Sequence, residues 1–425
     1  MHIEWKYIVC LFSNNRSIYK DDTCTKPEKM IVIDSESRIS LVDEDNPRFS
    51  VSTIHLEEPM VFRATNMEQA MSWVLFLRSC SFSHPTMSMD SFNIISTIGK
   101  GFYGKVILAQ KKDTGELYAI KTVHKKRLVQ SGKVHTIMTE RNILRSSSHP
   151  FVITLHFAFQ TLSKFYLVLE YVNGGDLFHH MAQDDFFSLD DIRLYTAEIA
   201  SALHYIHSLG VVYRDLKPEN VLLDSLGHIK LTDFGLSKEL GNQELTTTFC
   251  GTNDYLAPEV IKREGYGIMV DWWALGILLY EMVFQATPFF HENASRMYNR
   301  ILTEDPVFPF EPDSDVSSLI KGLLEKKPAK RFGYDQIVLH PFFNCIDFSK
   351  LLKKEYKPHY VPKVKDKLSV ENFDHEFTIE QPFDSIGSPV IGSAERVSGF
   401  SFDNRLLMND SLSSMGSILA SNPLQ

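Results

Sequence analysis

The chain has 425 residues, 44% of them hydrophobic and 23% charged, with a formal net charge of -9. That balance fits a soluble globular protein of more than one domain, and its acidic excess argues against a general nucleic-acid binder. Five cysteines, Cys10, Cys24, Cys80, Cys250 and Cys345, form no Cys-x-x-Cys pair, which points to reduced thiols in a cytoplasmic chain and away from a disulfide framework.

Met1 to Lys6 lacks the charged-then-apolar order of a secretory leader. From Lys6 to Tyr19 apolar and polar residues alternate around Ser13-Asn14-Asn15, which predicts a hairpin. Short strands are expected at 30–33, 39–42, 49–54 and 60–64, separated by turn residues such as Asp45-Asn46-Pro47. The period then changes. Asn66 is set to cap a helix whose one face carries Met67, Ala70, Met71, Val74, Leu75 and Leu77, with Trp73 among them.

Strands closed by one amphipathic helix bearing a Trp resemble a pleckstrin-homology domain, here over residues 1–83. The chain opens at what corresponds to the second strand, so the domain is expected to be N-terminally incomplete. Lipid-binding members carry a Lys-x-Arg cluster there, whereas Lys6 is followed by Tyr7 and Ile8. Phosphoinositide binding with membrane recruitment, and a degenerate module that docks protein, both stay open.

Residues 84–91, with Pro85 and several serines, read as a linker. A strand from Phe92 then enters Ile98-Gly99-Lys100-Gly101-Phe102-Tyr103-Gly104-Lys105-Val106. Gly-x-Gly-x-x-Gly by itself does not separate a Rossmann turn from a phosphate-covering hairpin. A Rossmann turn opens a helix, yet Val106 to Gln110 continues as a strand and leads to Tyr118-Ala119-Ile120-Lys121. Further on, Tyr213-Arg214-Asp215-Leu216-Lys217-Pro218-Glu219-Asn220 is followed by Asp233-Phe234-Gly235. Phosphoryl transfer needs a carboxylate to orient a hydroxyl, a cation beside the γ-phosphate and oxygen donors for Mg²⁺. Asp215, Lys217, Asn220 and Asp233 supply those types.

Together these segments resemble the eukaryotic protein kinases, and Tyr213 in place of the usual His is a variant of the AGC group of Ser/Thr kinases. The resemblance implies a bilobal α+β fold over 92–343, preceded by the small β domain. It implies ATP and Mg²⁺ as cofactors. Asp215 would be the base, Lys217 the γ-phosphate partner, Lys121 the holder of the α- and β-phosphates and Glu140 its ion-pair partner. Asn220 and Asp233 would bind metal. The loop from Ile98 to Val106, Ala119, Leu223 and the hinge from Glu170 would line the nucleotide site, with Leu169 as gatekeeper.

Thr248, in Thr-Phe-Cys-Gly-Thr, matches the activation-segment phosphosite, with Arg214, Lys238 and His135 as its expected cationic partners. Thr252 matches the residue that bonds near the base. Where the family usually has Pro-Glu, this chain has Asn253-Asp254. Asp176, Glu219 and Glu281 match positions that receive arginines N-terminal to the target. Asp271 is expected to anchor the catalytic loop, and Arg331 to pair with Glu259. Trp272 to Tyr280 is the most apolar run, but Glu281 ends it far short of the ~20 residues of a membrane span, so a buried helix is expected.

The tail extends the likeness over 344–405. Phe373 to Thr378 matches the segment near the nucleotide, Ser388-Pro389 the turn motif and Gly399-Phe400-Ser401-Phe402 the hydrophobic motif, with Val397 where Phe is usual. Ser388 and Ser401 are then phosphosites. Residues 406–425, rich in Ser and Asn, read as disordered. The whole is similar to the protein kinase B and serum- and glucocorticoid-regulated kinase branch. That implies protein substrates with Arg before Ser or Thr, an upstream activating kinase and a monomer. The alternative is a pseudokinase scaffold. Such proteins lack the lysine, the base or a metal-binding residue, and none is missing here.

Overall fold

In the computed structural model the described residues are 8–12, 15–19, 29–31, 37–42, 46–53, 56, 58–82, 87–183, 187–240, 245–390, 397 and 399–404. The turn residues Ser13-Asn14, the lipid-site position Lys6, Pro85 and the tail 406–425 lie outside them.

The N-terminal region holds two three-stranded antiparallel sheets, Ile8–Phe12 with Asn15–Tyr19 and Lys29–Ile31, and Arg38–Leu41 with Arg48–Ser52 and Met60–Arg63. The expected helix runs Met67–Phe82. Asn66 caps it, its Oδ1 accepting the Gln69 N–H at 2.8 Å. Ala70, Val74 and Leu77 bury against Ile39, Phe49 and Val51, as the 3.6-residue period requires. The stretch read as a linker is only partly one. Met87 is buried against Phe92 and Tyr118, and Met89–Ser91 forms a 3₁₀ turn, because an apolar side chain beside an unfilled sheet face lowers its free energy by burying.

Beyond it, six antiparallel strands form one sheet in the order Phe402–Asp403, Leu155–Gln160, Lys164–Glu170, Leu117–His124, Gly104–Lys111, Phe92–Lys100. The last strand among the described residues, Phe402–Asp403, therefore lies at one edge of the sheet. The helix Val134–Ser146 packs on this sheet through Ile137, Ile143 and Leu144.

The second lobe is helical. Leu189–Ser208 starts at Ser188, whose hydroxyl accepts the Asp191 N–H, with Asp190 and Asp191 in its first turn to complement the helix dipole. Met269–Phe284 is buried nearly all round, Trp272 and Trp273 included, which is the expected core helix. Among the described residues no helix is long and apolar enough to cross a membrane.

The tail wraps the first lobe. Tyr171 Oη donates to the Ser369 carbonyl at 2.8 Å, and Phe373 stacks on the Tyr171 ring. Lys164, 1% exposed, bonds Asp384 and the Ser385 carbonyl. Phe400 is fully buried against Phe165, an enclosure that stabilises docking by roughly 1.5–3 kcal/mol. Val397, the smaller residue of this motif, is fixed instead through its backbone, its N–H and C=O bonding Gln160 at 3.1 and 2.7 Å.

The expected pair of Arg331 and Glu259 forms a two-pronged contact at 2.7 and 2.9 Å in the core of the helical lobe. Glu259→Gln should lower unfolding stability by about 3–5 kcal/mol in urea titrations. Glu304→Ala, at the exposed Arg300 pair, should cost less than about 1 kcal/mol. Equal losses would contradict the role given to the buried pair.

Candidate active site

The loop 213–220 is set from below by Asp271 on the core helix. Its carboxylate accepts the N–H of Tyr213 at 2.9 Å and of Arg214 at 2.8 Å, and lies 2.7 Å from His207 Nε2. Arg214 sits at φ 68°, a region costly for a side chain larger than Gly, and the Asp271 bonds hold it there. Asp215 follows, 9% exposed. Asn220 Nδ2 donates to the Asp215 carbonyl at 2.8 Å and to its Oδ2 at 2.9 Å, and Thr252 Oγ1 donates to Oδ1 at 3.4 Å. Lys217 Nζ stands 3.8 Å away. Burial pushes the Asp215 carboxyl above its ordinary range, against the pull of Lys217 and the Asn220 bond. A raised pKa makes a carboxylate a stronger proton acceptor.

Across the cleft, Lys121 Nζ donates to Glu140 Oε1 at 2.6 Å and to Asp233 Oδ1 at 2.9 Å. Burial opposes the Lys121 charge, but Asp233 and Glu140 outweigh it and raise its pKa. Lys121 in turn holds Asp233 below the usual carboxylate range. Asp233 takes φ 53°, and the adjacent Phe234 is buried edge-on to Tyr213, with ring centroids 5.2 Å apart. The sequence-predicted lysine, carboxylates and amide thus meet at one place.

Strand register decides what else faces the cleft. Val106 pairs with both Gly99 and Lys121, and directly paired residues share a face. Gly99 and Val106 therefore face the site with Lys121, while the pair Lys100 and Lys105 points the other way. Those two present only their backbone to the face of Lys121. Ile98, Ala119, Leu169 and Leu223 are buried within the core around the same place. Gly104 is required by the chain itself, since a Cβ there would lie 1.6 Å from the Thr122 carbonyl oxygen. Gly101 is not, because a Cβ would meet nothing within 4 Å. Its bareness suits something that approaches the backbone from outside, as a phosphate would. Phe102 and Tyr103 form the tip, with Phe102 74% exposed.

The hinge residue Glu170 does more than the sequence foretold. Its N–H bonds the Thr154 carbonyl, and its side chain accepts the Thr154 N–H at 2.8 Å and Lys230 Nζ at 2.7 Å. Its carbonyl faces no such demand from these bonds. Lys230 lies 60 residues away, so only the fold brings it there.

Asn220 spends its Nδ2 on Asp215, and among the described residues its Oδ1 accepts no bond. With Asp233 it offers two oxygen donors of the kind a hard cation takes. No group of three or more His, Cys, Asp or Glu able to hold a metal occurs among the described residues. A cation here would complete its shell with phosphate and water, which suits Mg²⁺.

Thr248 is exposed. Its carbonyl accepts from Tyr266 Oη at 2.5 Å, and Tyr266 in turn receives Arg214 Nη1 at 3.4 Å. Lys238 reaches the neighbouring Thr246 at 2.8 Å. His135 lies exposed at the start of its helix. Arg214 and Lys238 are thus near the segment and already engaged with its neighbours. Ser388 is exposed and Ser401 half-buried.

Of the three carboxylates that the resemblance assigns to substrate, Asp176 caps the helix Leu177–Met181 through the His179 N–H at 2.8 Å, and Glu281 accepts the Tyr255 hydroxyl. Burial raises the pKa of both, and each also feels the negative charge of Glu219. They form one acidic wall. Asp254 accepts from Thr287 and Asn253 from Tyr298, so the unusual dipeptide ties the segment to the helical lobe. One contact went unforeseen: Glu380 of the tail bonds both Lys100 and Lys105. Two like charges across a hairpin root were the only hint of it in the sequence.

A protein kinase domain matches residues 92–343. The chain is 46% identical over 304 residues to the serine/threonine-protein kinase YPK1 of Saccharomyces cerevisiae, covering 71% of this chain and 45% of that one. It is 47% identical over 299 residues to a RAC family serine/threonine-protein kinase homolog of Dictyostelium discoideum, with 70% and 67% covered. With the serine/threonine-protein kinase Sgk1 of Gallus gallus it shares 44% over 335 residues, with 75% and 78% covered. The chain thus spans under half the length of the yeast relative.

Selective ¹³C titration of aspartate carboxyls should place Asp215 above the ordinary value of 3.8. Thr252→Val removes a hydrogen bond to the charged form and should move it higher still. An Asp215 that titrates at or below 3.8 would contradict the geometry.

Proposed function

The chain belongs to the protein kinase family, and from that premise we propose that it is an ATP-dependent Ser/Thr kinase of the AGC group. The reading rests above all on one observation: Lys121 binds Glu140 and Asp233 together while Asn220 fixes Asp215. A pseudokinase would lack part of that set. The named relatives, serine/threonine kinases by name, support the same class.

In the proposed reaction a substrate Ser or Thr hydroxyl attacks the γ-phosphorus in line. The new O–P bond forms as the bond to the β–γ bridging oxygen breaks, the hydroxyl proton passes to the Asp215 carboxylate, and ADP leaves with the electron pair. Lys217 stands beside Asp215 to meet γ-phosphate charge. Lys121, kept cationic, meets the α- and β-phosphates, and the bare backbone at Gly101 admits close approach from above. Asn220 and Asp233 would hold Mg²⁺, which when bound neutralises charge on the phosphate oxygens.

The wall of Asp176, Glu219 and Glu281 supports substrates with arginines ahead of the target residue, since guanidinium pairs with carboxylates in two-pronged fashion. Phosphorylation of Thr248 by an upstream kinase would add a dianion beside Arg214 and Lys238. Modification of Ser388 and Ser401 would reinforce a tail whose Phe400 is already seated. We place the chain in the cytoplasm as a monomer, with residues 1–83 a pleckstrin-homology-like module for lipid or protein.

The test is transfer from Mg·ATP to an Arg-rich Ser peptide after Thr248 phosphorylation. Asp215→Asn should lower kcat about 10²–10⁴-fold, and Lys121→Met should reduce transfer comparably, with melting midpoints near that of the unsubstituted protein. Full activity in either variant would refute the assignment. Stabilisation by Mg·ATP without transfer in the unsubstituted protein would return the chain to a binding-only class.

A further inference from the structure

Residues 350–367, which leave the short helix Phe348–Leu352, hold seven lysines, no arginine and only two carboxylates, Glu355 and Asp366. The local excess is five positive charges in a chain whose formal net charge is -9.

The backbone of this segment is pinned to the helical lobe at short intervals. Leu351 is buried, and the Asp347 N–H donates to Tyr356 Oη at 2.7 Å. Asp191 Oδ1 accepts the His359 and Tyr360 N–H groups at 2.7 and 3.2 Å, the Tyr360 ring packs edge-on to Phe187, and its hydroxyl lies 2.7 Å from His180 Nδ1. The Lys363 carbonyl accepts Asn372 Nδ2 at 3.1 Å. Between these points burial alternates. Tyr356, Pro358, Tyr360, Pro362 and Val364 are buried or half-buried, whereas Lys357, His359, Val361, Lys363 and Lys365 are exposed, the period of two of an extended chain. An outward residue then recurs about every 7 Å, inside the Debye length of about 8 Å at physiological salt. The ammoniums act as one field.

Few of these charges are spent inside the molecule. Lys354 bonds Asp224 at 2.8 Å, and Lys365 bonds Glu371 at 2.5 Å. Lys353, Lys357, Lys363 and Lys367 are exposed and form no ion pair among the described residues. Three apolar side chains, Leu352, Val361 and Leu368, stand exposed along the same stretch.

The composition selects the partner. Protein interfaces favour Arg, whose planar fork matches a carboxylate, and are depleted of Lys. Compact, flexible ammoniums interleaved with apolar side chains suit a surface whose negative charge is spread out and whose interior is apolar, which describes an anionic lipid leaflet. Because the backbone is already pinned, binding orders little further chain.

We propose that residues 350–368 form a peripheral membrane-binding ridge, in which Lys353, Lys357, Lys363 and Lys367 meet anionic headgroups while Leu352, Val361 and Leu368 enter the headgroup layer. The ridge belongs to the helical lobe and not to residues 1–83. It uses no residue of the nucleotide cleft, so it stands independently of the kinase reading.

The experiment sediments the full chain with vesicles of phosphatidylcholine containing about one-third phosphatidylserine, and with phosphatidylcholine alone. The unsubstituted protein should bind the first and not the second, and binding should fall steeply as salt is raised. The triple variant Lys357→Gln, Lys363→Gln, Lys367→Gln should bind about 100-fold more weakly, at about fivefold per lysine, with its melting midpoint unmoved. Leu352→Ser with Val361→Ser should weaken binding about tenfold. No binding to phosphatidylserine vesicles by the unsubstituted protein would overturn the ridge. So would unchanged affinity in the triple variant, which would assign the lipid contact elsewhere, as to residues 1–83. Lysine-dependent binding of soluble polyglutamate or of RNA without binding of vesicles would also overturn it, since the partner would then be a protein or a nucleic acid. Phosphoryl transfer from Mg·ATP stands or fails separately from all of these.

Discussion

The molecule turns on the ammonium of Lys121, which reaches from the sheet to a helix and to the loop before Gly235 at once. Burial disfavours a lone ammonium at this half-buried place, because desolvating a charge costs free energy. Two carboxylates offset this, and they come from two separate elements. The helix Val134–Ser146 must lie against the sheet for Glu140 to arrive, and Phe234 must be buried for Asp233 to do so. The charge and the packing therefore select the same arrangement of the lobes.

The second lobe solves the complementary problem of holding a polar loop rigid. Asp271 spends both its oxygens on the backbone of Tyr213 and Arg214, one residue ahead of Asp215. Arg331 and Glu259 neutralise each other within the core, and Arg331 also bonds the Met269 carbonyl at the head of the same helix. Buried ion pairs are poor sources of net stability but strong selectors among arrangements. Here they fix where the site residues stand relative to the core helix.

The tail adds a third layer, attached to the first lobe at the hinge, at Lys164, at the glycine-rich hairpin and at the sheet edge. Each attachment joins an element of the first lobe to a segment late in the chain.

Much of this was legible without coordinates. Residue types at fixed spacing carry local chemistry, so the loop with Asp215 and Asn220, the Asp233-Phe234-Gly235 turn and the strand lysine could be named in advance, and Asn66 announced its helix. The tail's Phe400 could be named as an anchor. Three things could not. That Lys100 and Lys105 turn their side chains from the cleft follows from pairing register. That Glu170 braces Lys230, and that Met87 is buried where a linker was expected, follow from what lies on the far side of each. Nothing local marks Glu380, which folding carries to two lysines 275 and 280 residues earlier. Sequence determines which groups can do chemistry, because reactivity is a property of the side chain. Only the tertiary structure decides which of them share a face, because proximity across hundreds of residues is set by packing and register and leaves no local mark.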